Sequence, residues 1–284
     1  MTALPAEDHA RTPQLTIRPG GANRQYLQDV WSYRELLYFL AWRDLSIRYK
    51  QAIVGVLWTV LRPLFTVIAF VLVFHKIAGI ASTSIPYPLL VLVGLTPWTF
   101  FATALSESSN SVVNNAHIVG KVYFPRILVP MSSVVVALID TLVNLIILTI
   151  MFAVFRYSPD WRIVFLPLLL LATFLAAAGP GLFLAALNVR YRDVRFIVPF
   201  IVQFGLYVTP VGFPISQVPE RFRTLYWILN PLVPLVEAFR WSLLRGHGEV
   251  HPAALAWSCT VIVLGGVLGV LRFRKTEHSM ADDI

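Results

Sequence analysis

The sequence predicts an all-α integral membrane protein: six transmembrane helices, an N-terminal amphipathic interface helix, and a re-entrant helical hairpin between helices 5 and 6. Composition is the first observation behind this fold class. Hydrophobic residues make up 57% of the chain, mean hydropathy is +0.70 and only 13% of residues are charged, about half the charged share of a soluble domain. The second is a series of apolar runs of about 20 residues, the length that crosses a hydrocarbon core. The third is the placement of the net charge of +8, which gathers in short clusters beside those runs. Clusters so placed are topology signals facing anionic membrane lipids, and no nucleic-acid partner is expected.

Residues 1–24 mix Pro, Gly, Thr and charges without an apolar h-region, so they read as a flexible cytoplasmic tail and not as a cleavable signal. One transmembrane domain, residues 25–284, follows. Residues 25–45 place Leu27, Val30, Trp31, Tyr38 and Trp42 near one side of a helix, with Gln28, Ser32 and Glu35 near another. This helix is too polar to span and suits the headgroup plane. Spans are expected near 53–75, 87–107, 129–155, 163–187, 196–213 and 253–271. The fifth is the shortest, with Pro199 and Pro210 near its ends. Residues 214–246 are too apolar for a loop and too broken for a span. Pro219 starts one short helix, Asn230-Pro231 ends it, and a second runs from about Pro234 to Arg245. A hairpin that enters and returns to the same side satisfies such broken backbone if protein covers it.

Orientation follows from the cations. The N-terminal segment, Lys121, Arg126, Arg190, Arg192, Arg195, Arg272, Arg274 and Lys275 fall on one side. Opposite lie Lys76, Arg156, Arg162 and the hairpin arginines, offset by Glu220, Glu237 and Glu249. The first side is therefore expected to be the cytoplasm, with both termini inside.

Several polar features interrupt the apolar plan. The loop SSNSVVNNAHIVGKVYFPRILVP suits either a short helix over residues 111–119 that a partner could grip, or a plain connection anchored by Tyr123 and Phe124. LNVRYRDVRF, residues 187–196, interleaves cations with aromatics, which fits partner or phosphate docking as well as simple anchoring. Asp140 sits near the middle of the third expected span with Asn144 one turn on, and no basic residue or second carboxylate is expected at its depth. Interhelical hydrogen bonding is the economical reading, a proton relay or substrate contact the sharper one. His75 ends a span alone, and Cys259 is the single cysteine. Trp98, Phe101, Phe204 and Tyr207 offer flat apolar platforms along a sugar path, or ordinary packing.

Arg62, followed by Pro63, is the hardest charge to place. Counted from Ile53 it lies about 13 Å along its helix, so it either snorkels or faces a pathway. The chain holds no phosphate-binding P-loop, HExxH, Cys/His metal spacing or nucleophile elbow. No catalytic or metal-binding residue is expected, and driven transport needs an ion gradient or an ATPase on another chain.

Four segments, RDLSIRYKQAIVGVLWTVLRPL, GKVYFPRILVP, NVRYRDV and TPVGFPISQVPERFRTLYWILNPLVPLVEAFR, stand in the order found in one family. From about residue 25 to 272 the chain resembles the membrane subunits of ABC-2 type polysaccharide exporters, the O-antigen, teichoic-acid and related glycan permeases. The resemblance implies a homodimer with its pathway between the halves. Two copies of a nucleotide-binding ATPase would dock beneath and bind the ATP and Mg, so this chain would carry no cofactor. By position, Arg43, Asp44, Arg48 and Tyr49 match the interface motif, and with Lys50 and Arg62 they become candidates for a cargo headgroup. Ser111, Asn114, Asn115 and His117, with Arg190, Arg192 and Asp193, become candidates for coupling to the ATPase. Glu220, Arg223, Asn230, Glu237 and Arg240 match the extracytoplasmic hairpin, as gate candidates. The expected function is export of a polyprenyl-diphosphate-linked, O-antigen-like glycan across the bacterial inner membrane. Teichoic-acid, lipid or drug efflux is the alternative, and a lipid-sugar transferase a more distant one.

Overall fold

The computed structural model describes residues 23–50, 53–77, 79, 85–277 and 280, and the described part is all helix, turn and loop. The expected tail falls almost wholly outside these residues. The interface helix is two helices, α1 (Asn23–Ser32) and α2 (Arg34–Lys50), broken at Tyr33 and running five residues beyond the expected end. α3 (Ile53–Phe70) continues through a π-helical turn, Val71–Ile77. Next come α4 (Tyr87–Asn114), the single turn α5 (Ala116–Val119), and α6 (Leu128–Val154). A 3₁₀ turn at Trp161–Phe165 leads into α7 (Leu166–Arg190), and α8 (Val194–Val208) follows. α9 (Glu220–Leu229) and α10 (Leu232–Leu243) precede the last helix, α11 (Pro252–Glu277).

Five of these helical segments are long and apolar enough to cross a membrane: Leu57–Ile77, Tyr87–Asn114, Leu128–Val154, Trp161–Arg190 and Pro252–Glu277. The expected fifth span is shorter than foreseen. α8 has 15 residues, about 22 Å at 1.5 Å per residue, and stops at Thr209-Pro210, where the proline ring and its missing N–H oppose helix.

α4 is the central helix. It packs against α3, α6, α7, α8 and α10, and its Leu89, Leu92, Leu95 and Trp98 join Leu148 and Phe152 of α6 and Leu235 and Phe239 of α10 in the largest core cluster. α7 and α11 meet backbone to backbone. A Cβ on Gly179 would lie 2.7 Å from the Gly265 carbonyl carbon, so only glycine permits that approach.

The break at Asn230-Pro231 falls where expected. The Asn230 side chain accepts from Leu232 N at 3.0 Å and donates to Thr209 Oγ1 at 2.8 Å, fastening the turn to the end of α8. α10 is sunk into this end of the bundle with every residue from Leu232 to Arg240 buried. α9 stays outside, with no buried residue.

At the opposite end the first and last described helices are tied together. Tyr26 donates to Glu277 Oε2 at 2.9 Å, and the Arg126 N–H donates to Glu277 Oε1 at 2.7 Å. Arg274 lies over the Tyr26 ring at 4.4 Å. Burial first, and then the Glu277 carboxylate, push the Tyr26 hydroxyl pKa well above the ordinary tyrosine value.

Candidate functional site

α2 carries the interface motif, and its course is set by its packing on α6. Leu40 shares a buried cluster with Leu128 at the start of α6, whereas Arg48 bonds Asp140 on the same helix. The twelve residues between Leu128 and Asp140 span about 18 Å, so α2 climbs the flank of α6. Its polar residues thereby face polar partners inside the protein.

Those partners build one cleft of about 560 Å³ between α2, the α4–α5 junction and α6. Arg43 Nη2 donates at 2.6 Å to Asn115 Oδ1 and at 2.6 Å to Asp44 Oδ1. Asn115 in turn donates to the Ser111 carbonyl at 2.8 Å, closing the last turn of α4. Arg48 forks between two carboxylates, Nη1 to Asp140 Oδ2 and Nη2 to Glu107 Oε1, the latter at 3.0 Å. Tyr49 donates to Asp140 Oδ1 at 2.7 Å. Burial, then the bond to Asp140, push the Tyr49 hydroxyl pKa up to about 12.

The expectation of an isolated Asp140 is therefore overturned. A base, a phenol and a second carboxylate share its level, because α2 rises to meet it. Two guanidiniums face three carboxylates here, so the cleft as folded is no reservoir of free positive charge. Lys50 also lies in α2, but its side chain is outside the described residues.

Headgroup and coupling candidates converge in this cleft. Arg43, Asp44 and Arg48 line it together with Ser111, Asn114, Asn115 and His117. The expected 111–119 helix is divided at Asn115 between the end of α4 and the turn α5. Ser111 donates back to the Ser108 carbonyl at 2.7 Å within α4, and only Ala116–Val119 forms a separate turn. Arg190, Arg192 and Asp193 lie elsewhere, exposed at the α7–α8 turn, with Arg190 over its neighbour Tyr191 at 5.8 Å. Glu107 was not foreseen. Its only sequence signal is a carboxylate closing an apolar run just before the Ser/Asn-rich loop.

The remaining candidates separate by burial. Trp98 is 5% exposed and packs so closely on α8 that a Cβ on Gly205 would collide with its ring. It fills the α4–α8 seam and lines no open path. Phe101 is half-buried against Trp98, at 5.9 Å between ring centres, while Phe204 and Tyr207 point outward from α8.

At the other end, Glu237 and Arg240 are each 1% exposed, so they present nothing to a passing cargo. Arg240 Nη1 donates to Glu237 Oε1 at 2.7 Å and to the Phe213 carbonyl at 3.0 Å, and Nη2 donates to the Val211 carbonyl at 2.7 Å. Glu237 also accepts from the Ile215 and Glu249 backbone N–H groups at 3.2 and 3.1 Å. The pair is a staple holding the 211–215 and 249 segments onto α10. Arg223 is tied to the Val218 and Ser216 carbonyls at 2.9 and 2.7 Å, and Glu220 is exposed at the start of α9.

Arg62 projects from the outward face of α3. Val60, Val67 and Phe70 of that helix join the core, whereas Trp58, Arg62 and Phe65 are exposed. Thr59, three residues earlier, hydrogen-bonds to Tyr49. Arg62 thus sits one turn beyond the polar layer, much nearer to polar surroundings than its distance along the helix suggested.

Comparison with known proteins places this architecture. The chain is 28% identical to "O-antigen export system permease protein RfbA" of Myxococcus xanthus over 89% of its length and 97% of that protein. A Klebsiella pneumoniae protein of the same name is 26% identical over 87% and 94%. "Polysialic acid transport protein KpsM" of Escherichia coli is 23% identical over 84% and 92%. Residues 35–244 match the family described as "ABC-2 type transporter". That match runs from the climbing helix through the cleft to the buried staple, and the chain belongs to the ABC-2 type transporter membrane family.

Proposed function

We propose that this chain is the transmembrane subunit of an ATP-driven exporter that moves a polyprenyl-diphosphate-linked polysaccharide outward across the inner membrane. The observation that carries this reading is likeness along at least 84% of the chain to transport proteins named for O-antigen and polysialic acid. The subunit works as a homodimer with two copies of an ATPase, which bind the nucleotide. α8 completes a sixth crossing with its flanking residues, α9 and α10 form a hairpin returning to the outer side, and both termini face the cytoplasm.

The geometry of the cleft supports this use. An ATPase pressing on α5 and the end of α4 acts on Asn115 and Glu107, which bond Arg43 and Arg48 of α2. Movement of that junction is thereby carried to α2, and through Asp140 to α6. Partner closure becomes displacement of the helix that guards entry from the membrane face.

Deleting the gene is the test. The lipid-linked glycan is expected to accumulate on the cytoplasmic side and surface polymer to disappear, both restored by the wild-type chain. Unchanged surface polymer in the deletion strain sinks the reading.

A further inference from the structure

We infer that Arg62 is a phosphate-binding residue at the membrane-facing edge of the first span, one turn beyond the cleft. Three observations lead there. Arg62 is exposed on an apolar helix between Trp58 and Phe65, and among the described residues its guanidinium has no hydrogen-bond or ion-pair partner. A bare cation facing hydrocarbon is costly, so something of opposite charge or water meets it.

No carboxylate among the described residues pairs with Arg62. Within the long apolar helices the described carboxylates are Glu107, Asp140 and Glu277. The first two hold Arg48 and the third holds Tyr26 and Arg126. Of the arginines at positions 43, 48 and 62, the first two are engaged by their own protein, and Arg62 alone is open to a ligand.

Reach identifies the ligand. Helix side chains tilt toward the N-terminus, which for α3 is the end near Tyr49 and Asp140. A guanidinium directed along apolar surface toward that polar layer meets the phosphate level of the cytoplasmic leaflet. Its planar fork suits phosphate oxygens. Two sources carry that chemistry, a bilayer phospholipid and the diphosphate of the lipid-linked cargo. The inference rests on the proposed orientation and cargo.

The test is lipid retention by the purified full-length chain, read by native mass spectrometry. Phosphatidylglycerol, a polyprenyl diphosphate and phosphate-free diacylglycerol serve as probes. Arg62→Gln is expected to lose about tenfold in retention of phosphate-bearing lipid, the scale of one charge-assisted hydrogen bond, with diacylglycerol unchanged. Arg62→Lys, which keeps the charge and loses the fork, is expected to fall between. Loss confined to the diphosphate assigns the cargo, and loss extending to phosphatidylglycerol assigns the leaflet. Equal retention of both phosphate probes by wild type, Arg62→Gln and Arg62→Lys overturns the inference. Retention is measured without transport, so failed export with retention intact overturns the export reading alone.

Discussion

Two of the arginine–carboxylate clusters among the described residues, one at each end of the bundle, are built to opposite specifications. At the far end Glu237 and Arg240 are almost wholly excluded from solvent, and their oxygens and Nη groups are satisfied by Ile215, Glu249, Phe213 and Val211 of the surrounding backbone. In the cleft, Arg48 is 33% exposed and Glu107 47%, with bonds reaching across three helices. A buried pair with its backbone ligands has one low-energy arrangement, because any displacement strands a charge. A half-exposed fork between two carboxylates can release one and keep the other, since water covers the difference. The difference marks the first as an anchor and the second as a joint.

The largest expected effect breaks the anchor. Glu237→Ala leaves Arg240 uncompensated and should cost about 3–5 kcal/mol, read as a lowered unfolding midpoint in detergent. Replacing both residues by apolar ones of similar size should recover most of that loss. A single variant of wild-type stability would show that the staple carries no weight.

A smaller effect on stability, and a larger one on transport, is expected in the cleft. Asp140→Asn keeps an acceptor for Tyr49 and removes one of the two charges on Arg48. It should cost about 1 kcal/mol, as a partly exposed pair does, while export measured as surface polymer falls severely. Wild-type export in a normally folded Asp140→Asn protein would detach the cleft from coupling.

The smallest effect is a titration. Tyr49 holds its proton in the fold up to about pH 12 against an ordinary 10. Its contribution to stability is therefore whole below pH 10 and fades as pH rises through 12. In Asp140→Asn its tyrosinate absorbance should appear closer to 10, because the carboxylate that helps hold the phenol neutral is gone. A midpoint unmoved by that substitution would leave burial as the sole cause.

Much of this plan was legible residue by residue. The apolar runs around α4, α6, α7 and α11 declared themselves because crossing hydrocarbon demands about 20 residues, and Asn230-Pro231 separates α9 from α10 where its chemistry requires. The cleft was half legible. Arg43 and Arg48 stood out as cations beside a span and Asp140 as a carboxylate within one, but nothing in their spacing joined them. Residues 48, 107 and 140 meet only because α2 climbs α6 beside the end of α4. Trp98 stayed undecided for the same reason: an aromatic in a span looks alike whether it lines a path or fills a seam with Gly205.

The sequence by itself determined the solvent of this protein, its helical class and the family whose order of segments it follows, since length, apolarity and helix breakers act locally. The tertiary structure alone decided which charges are spoken for. Pairing depends on distances between helices that the chain separates by up to 92 residues, as with Arg48 and Asp140. Packing gave Arg240 and Arg48 carboxylate partners inside the protein and left Arg62 exposed, with no such partner among the described residues.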